Sequence, residues 1–361
     1  MSVDTFYNVI CFPAAKPYYT LFGSIYSAYF RIMGWKRWYK TIYLSTGFQK
    51  KGEQGIQVIK IYAKASFIPE EIREKIRCGC DGLEFNLQKD FLKKGSCFET
   101  CYLQELFTMH NVEVVHVPFY EDGQVMNMEH IFSHEDVSPV RNVFRLAQYC
   151  ADIWKHRILV VIHTSLSYFD FMEYELFRRR LEHVLQKFFD DFPMVDLAVE
   201  NVVPMEYKED SGKSPRLCNG IFTDLTEIVG YLRERFGERV GSVLDICHAA
   251  MTEKYLTALL AAADFLPQTS RPKHLDYGME HYFQINQGIC KLIHFNDFTG
   301  NGYMENHGTA FQDQKKVEAL LELYRKYQYD CPMTLEIREE DYRNCINYRK
   351  TKAMLAPFLK Y

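Results

Sequence analysis

Val195-Asp-Leu-Ala-Val-Glu200-Asn201 is a short apolar run that ends on a carboxylate. Four of its first five residues are apolar, and Pro204 follows after two valines. A run of this length, bounded by polar residues and proline, reads as a buried strand. A glutamate at the end of such a strand is costly to bury unless it is paired, hydrogen-bonded or bound to a metal. Glu200 therefore points to a purpose, and the other apolar runs of the chain end in the same way.

From Ile56 onward the pattern is regular. Strands are expected at Ile56–Ala63, Gly82–Asn86, Val112–Val117, Ile158–Ile162, Val195–Val199, Ser242–Ile246, Lys291–Phe295 and Met333–Ile337. Helices are expected between them. Pro69–Arg77 has Pro69 in its first turn and Glu70 and Glu71 at the positive end of its dipole. Ser133–Trp154 opens on a serine cap. Phe169–Phe189, Phe222–Phe236, Glu253–Phe265, Gln314–Tyr327 and a last helix follow. Strands alternating with helices imply parallel pairing through βαβ crossovers, and eight units over this length fit a (β/α)8 TIM barrel. An open doubly wound sheet is the rival, but no Gly-rich phosphate fingerprint follows the first strand, so no nucleotide cofactor is expected. The barrel is assigned to residues 56–361. Residues 1–55, rich in Tyr, Phe and Trp and with a candidate strand at Thr41–Phe48, are read as an N-terminal extension packed on it.

Composition narrows the class. The 361 residues are 47% hydrophobic and 25% charged, ordinary for a globular protein. No apolar run is long enough to span a bilayer, and no secretory signal opens the chain. The eleven cysteines lack a CxxC pair and are expected as free thiols in a reducing, cytoplasmic setting. A net charge of −4 argues against a general nucleic-acid binder. A homo-oligomer is compatible with the sequence.

The active face of such a barrel lies at the C-terminal ends of its strands. Those ends carry, in order, Glu84, His116, His163, Glu200, Asp245 with His248, His294 and Glu336, and His307 lies in the loop after the seventh strand. One histidine at a strand end is more often a satisfied core residue than a ligand. Their convergence on one mouth is better explained by a metal centre. Two Glu, one Asp and one His suit Mn²⁺, Mg²⁺ or Co²⁺, and Zn²⁺ if more imidazoles join. His116 and His163 are placed to complete a second site sharing Glu200. Asp297 is read as orienting His294 or capping the next loop, Glu84 as reaching the pocket or pairing with a barrel cation, and Arg338 as meeting an anion or forming a structural ion pair. Cys247 has no basic neighbour to make it a nucleophile.

The strings Leu197-Ala-Val-Glu200-Asn201, Val243-Leu-Asp245-Ile-Cys-His248, Leu292-Ile-His294-Phe-Asn-Asp297 and Thr334-Leu-Glu336 resemble motifs of the xylose isomerase-like barrel superfamily. Val115-His116-Val-Pro118 and Val161-Ile-His163 are similar as well. This group contains sugar isomerases, sugar and sugar-phosphate epimerases, inosose-type dehydratases and zinc AP endonucleases. The resemblance implies that Glu200, Asp245, His294 and Glu336 hold one divalent metal. In the isomerase and epimerase branch, the leading expectation, Glu200 and Glu336 are also the catalytic acid and base. His248, His116 and His163 would then bind a sugar or sugar phosphate. In the endonuclease branch His116, His163 and Glu200 hold a further zinc, and His248 and His307 belong to a third site. There the sequence departs: Glu305-Asn306-His307 stands where Asp-x-His is expected, and Gly308-Thr309-Ala310 is closer to the Gly-x-Gly turn of the epimerases. A dehydratase or lyase acting on a polyol or keto-sugar is the remaining alternative.

Overall fold

The computed structural model describes residues 58–87, 101–117, 120–121, 124–125, 138–163, 171–202, 205–207, 216–218, 222–262, 278–299 and 307–359. The expected extension at residues 1–55, with its Thr41–Phe48 strand, lies outside them.

Eight parallel strands close into a barrel. They are β1 (Ile61–Ala65), β2 (Gly82–Asn86), β3 (Val112–His116), β4 (Ile158–His163), β5 (Val195–Glu200), β6 (Val240–Asp245), β7 (Cys290–His294) and β8 (Met333–Leu335). Neighbours in sequence are neighbours in space, and β1 pairs with β8 to complete the ring. The helices are α1 (Pro69–Arg77), α2 (Cys101–Met109), α3 (Ser138–Trp154), α4 (Phe171–Asp191), α5 (Phe222–Phe236), α6 (Ile246–Ala262), α7 (Met279–Asn286), α8 (Gln314–Lys326) and α9 (Ile346–Leu355). The expected TIM barrel is the observed fold.

The boundaries differ from expectation in places with a local cause. The first strand begins at Ile61 and runs to Ala65, so Lys64 belongs to it. The sixth strand stops at Asp245, and α6 begins at Ile246 rather than near Glu253. Asp245 is the reason: its Oδ1 accepts the His248 amide at 2.6 Å, the bond of an N-cap residue. Two helices were not expected, α2 and α7. Neither has a basic residue in its last turn, where α1 has Lys75 and Arg77.

Alternation along each strand sets the interior. Tyr62, Val114, Val161, Ala198, Val243 and Leu292, one residue from each of six strands, form a buried apolar layer inside the barrel. Gly82 makes room for it, since a Cβ there would lie 3.0 Å from the Tyr62 ring. Side chains on a strand return to the same face every second residue. Two positions beyond this layer stand Lys64, His116, His163, Glu200, Asp245 and His294, while Glu84 and Glu336 follow Gly82 and Thr334 by the same step. The apolar layer is thus a floor, and the polar residues form one tier above it. No helix among the described residues is long and apolar enough to cross a membrane.

Candidate metal centre

Every residue of the upper tier is buried or nearly so. Glu84, Asp245 and His294 are fully enclosed, and Glu200, His116, His163 and His248 are buried. Carboxylates and imidazoles face one another across the axis, and Glu200 is at the middle.

The two oxygens of Glu200 face two different sets of histidines. Oε2 lies 2.7 Å from His116 Nε2 and 3.5 Å from His163 Nε2. Oε1 lies 3.3 Å from both His248 Nδ1 and His294 Nδ1. His294 Nδ1 is also 3.0 Å from Glu336 Oε2 and 3.7 Å from Asp245 Oδ2. Ligand atoms of Glu200, Asp245, His294 and Glu336 thus gather within 4.8 Å of one another, as do those of His116, His163 and Glu200.

These spacings fit a metal ion. Two ligands about 2.1 Å from one ion lie about 3.0 Å apart at a right angle and about 3.4 Å apart at a tetrahedral angle. His294 Nδ1 and Glu336 Oε2 are buried, 3.0 Å apart, and yet neither has a partner in hydrogen-bond geometry. Proton accounting gives the same answer. His294 Nε2 lies 3.1 Å from Glu84 Oε2, so both its nitrogens face carboxylates. His116 Nδ1 faces the Val117 carbonyl at 2.8 Å while Nε2 faces Glu200. A neutral imidazole has one N–H, so each ring needs either a second proton or a cation at the other nitrogen. The donor sets differ in kind: three carboxylates and one imidazole in the quartet, two imidazoles and one carboxylate in the trio.

Charge in the centre is balanced by proximity. Burial works against ionised Glu200, but His294, His163 and His116 hold it well below the usual carboxylate range. Burial likewise opposes ionised Glu336, and Lys64 and His294 hold it low. Glu84 is drawn down to about 2 against burial, by His294 and Lys64. Burial disfavours a charged His248, yet Asp245 and Glu200 raise it to about 9. Glu84 and Glu200 raise His294 well above its ordinary value in spite of burial. His163 goes the other way, to about 3, because burial outweighs Glu200.

Surrounding groups hold the candidate ligands in place. Asn201 Oδ1 accepts the Asp245 amide at 2.7 Å, and its Nδ2 donates to the Asp245 carbonyl at 3.0 Å. Asn296 Nδ2 donates to Asp245 Oδ2 at 3.0 Å, and its Oδ1 accepts the Cys247 amide at 3.1 Å. His248 Nδ1 lies 2.7 Å from the Asn201 carbonyl. His307 stacks on His248, with ring centroids 4.6 Å apart and planes 16° apart. Its Nε2 is 3.9 Å from Asp245 Oδ2.

The structure thus brings together every site residue expected from the sequence. It also shows what the residues with open roles touch. Glu84, not Asp297, partners His294, whereas Asp297 bonds the Phe298 amide and Lys316. Arg338 is exposed, donates its amide to the Gly308 carbonyl at 2.7 Å, and has no ion pair among the described residues. Burial, then Asp245, push the Cys247 thiol far up, against any role as a nucleophile. Glu305 and Asn306 lie outside the described residues.

Sequence reasoning missed Lys64, Asn201 and Asn296. Lys64 was legible in principle: it follows Tyr62 by one strand period in an otherwise apolar run. The two asparagines act through backbone groups of another strand, which leaves no local mark.

No family model matches the sequence, and no curated protein matches it. Solved structures do. A xylose isomerase domain protein from Planctomyces limnophilus superposes with a TM-score of 0.53 at 11% identity, covering 84% of this chain and 96% of its own. The IolI protein, solved with a bound zinc atom, gives 0.52 at 14% identity, covering 82% of this chain and 97% of its own. The fold is that of the xylose isomerase-like TIM barrels.

Proposed function

We propose that the chain is a metal-dependent hydrolase of phosphodiesters whose two divalent ions share Glu200. One observation carries this reading: each oxygen of Glu200 serves a separate set of histidines, His116 and His163 on one side, His294 and His248 on the other. In a site for a single ion the first set would be left to bind substrate, yet both its imidazoles face the oxygen of Glu200 that the quartet does not use. The zinc of the IolI structure supports a metal on this fold. Three carboxylates with one imidazole suit Mn²⁺, Mg²⁺ or Co²⁺, and the trio with two imidazoles suits Zn²⁺. Two bound ions would supply a nucleophilic water at neutral pH and neutralise the attacking and leaving oxygens of a phosphodiester.

The remaining roles belong to the chain itself. Glu84 holds the Nε2–H of His294, which fixes the tautomer and presents Nδ1 to the centre. His248 gives its Nδ1–H to the Asn201 carbonyl, which leaves its Nε2 for a substrate hydroxyl. Arg338, without an ion pair among the described residues and beside the His307–Thr309 strand, would supply a second cation for the anion.

The isomerase and epimerase reading retains one support. Glu200 and Glu336 both approach His294 Nδ1, as two carboxylates flanking one ion would. Against it, Glu336 Oε1 is tied to Lys64 at 2.8 Å, which makes it a poor proton acceptor.

Metal analysis and two assays separate the readings. Wild type should carry two ions per chain and hydrolyse bis(4-nitrophenyl) phosphate or nick a duplex with an abasic site. H116A/H163A should keep one ion and lose hydrolysis. One ion per chain in wild type, with no hydrolysis but with solvent deuterium entering a ketose, would establish the isomerase reading instead.

A further inference from the structure

Lys64 lies in the β1 position of the upper tier, between β2 and β8. Its register partner on β2 is Glu84. Its Nζ lies 3.5 Å from Glu84 Oε1 and 2.8 Å from Glu336 Oε1, with 12% of the side chain exposed. The other oxygen of each carboxylate goes to His294: Glu84 Oε2 to Nε2 at 3.1 Å, and Glu336 Oε2 to Nδ1 at 3.0 Å. Lys64, Glu84, His294 and Glu336 therefore form a closed ring of alternating cationic and anionic groups. The links differ in strength: Lys64–Glu336 and Glu84–His294 are close, while Glu84 Oε1, Glu336 Oε2 and His294 Nδ1 have no partner in hydrogen-bond geometry, which leaves Glu336 Oε2 and His294 Nδ1 turned to the centre.

We propose that Lys64 is a positioning residue that restricts Glu336 to one-oxygen ligation and thereby sets which divalent ion the quartet accepts. The inference rests on the quartet of Glu200, Asp245, His294 and Glu336 being a metal site. With Oε1 held by the ammonium, only Oε2 of Glu336 faces the centre. A carboxylate limited to one oxygen favours small ions of low or octahedral coordination. Ca²⁺ takes more ligands, at longer range, and accepts bidentate carboxylates. Releasing Oε1 gives the site the extra donor that a larger ion uses. Lysine fits the task through its reach and its point charge, which bridges two carboxylates at once.

The test is a competition measured on the whole protein. Free Mn²⁺ is followed by its electron paramagnetic resonance signal while Ca²⁺ displaces Mn²⁺ from the site lost in D245N. Groups behind metal ligands are typically worth about 10–100-fold in affinity. In K64M the Ca²⁺/Mn²⁺ preference should therefore move toward Ca²⁺ by about tenfold or more. K64R, which keeps a cation between the two glutamates, should stay near the wild-type ratio. Circular dichroism and melting of the metal-free variants show whether they are folded. A K64M that binds both ions more tightly or more weakly in equal measure overturns the inference, since lost charge or lost structure acts on every ion alike. If K64M does not fold, E84Q takes its place: it frees Lys64 from Glu84 but leaves it on Glu336 Oε1, so the ratio should stay near wild type or move toward Mn²⁺, and a shift toward Ca²⁺ overturns the inference. Wild type binding no Mn²⁺ that D245N abolishes would overturn the metal reading itself, and the inference with it.

Discussion

Replacing Glu84 by Gln removes one charge from the centre and no proposed ligand. Glu84 Oε2 lies 3.1 Å from His294 Nε2, and both side chains are fully buried. A hydrogen bond to a charged group contributes roughly 1.5–3 kcal/mol. An amide keeps one acceptor oxygen, but its NH₂ must then face either His294 or Lys64, both donors. The loss should therefore fall in that range, and 1.4 kcal/mol corresponds to about a tenfold change in an equilibrium constant. Metal affinity of the quartet in E84Q should drop by about 10–100-fold while the number of ions per chain at saturation stays the same. Competition against a chelating indicator gives the affinity, and elemental analysis gives the number. An affinity within about threefold of wild type would refute the argument that Glu84 orients His294 for a metal. Loss of the ion at saturation would refute it differently, by making Glu84 a ligand.

Metal binding should be proton-linked, and the sign follows from the raised histidines. His294 stands well above its ordinary value and His248 at about 9, so both carry an extra proton at pH 7 in the metal-free protein. An ion at His294 Nδ1 must displace that proton, so affinity should rise with pH and proton release should appear in titration calorimetry run in buffers of different ionisation enthalpy; uptake of protons would contradict the assignment. N201A should destabilise the fold by about 2–4 kcal/mol in urea titration, because it leaves the buried amide and carbonyl of Asp245 without their partners. G82A should cost about 1–3 kcal/mol, since its Cβ would lie 2.5 Å from Glu113 Cγ and 3.0 Å from the Tyr62 ring in the barrel floor, and a neutral result would show that these side chains can shift. Both values can be read from chemical denaturation of the metal-free protein.

How much of this was legible depends on whether the signal was local. The eight apolar strands, their order and the period of two were all present in the residues, because alternation is a property of a strand by itself. That parity placed His116, His163, Glu200, Asp245 and His294 on one face and one tier. The start of α6 was missed because Asp245 does two things at once: as the end of β6 it looks like a site residue, and as an N-cap it opens the helix immediately. Asp297 was the natural partner for His294 in sequence, three residues away, but Glu84 took the place from the other side of the barrel.

The sequence by itself determined a barrel of eight parallel strands with side chains of metal-ligand type at its mouth, since both follow from hydrophobic period and residue type. Only the tertiary structure decided which oxygen meets which nitrogen. Glu84 and His294 are 210 residues apart, and His116 and Glu200 are 84 apart. Closure of the ring sets β1 beside β8, and that closure puts Lys64 between Glu84 and Glu336. No local pattern encodes such a contact, because it depends on the register of strands that meet only when the barrel is complete.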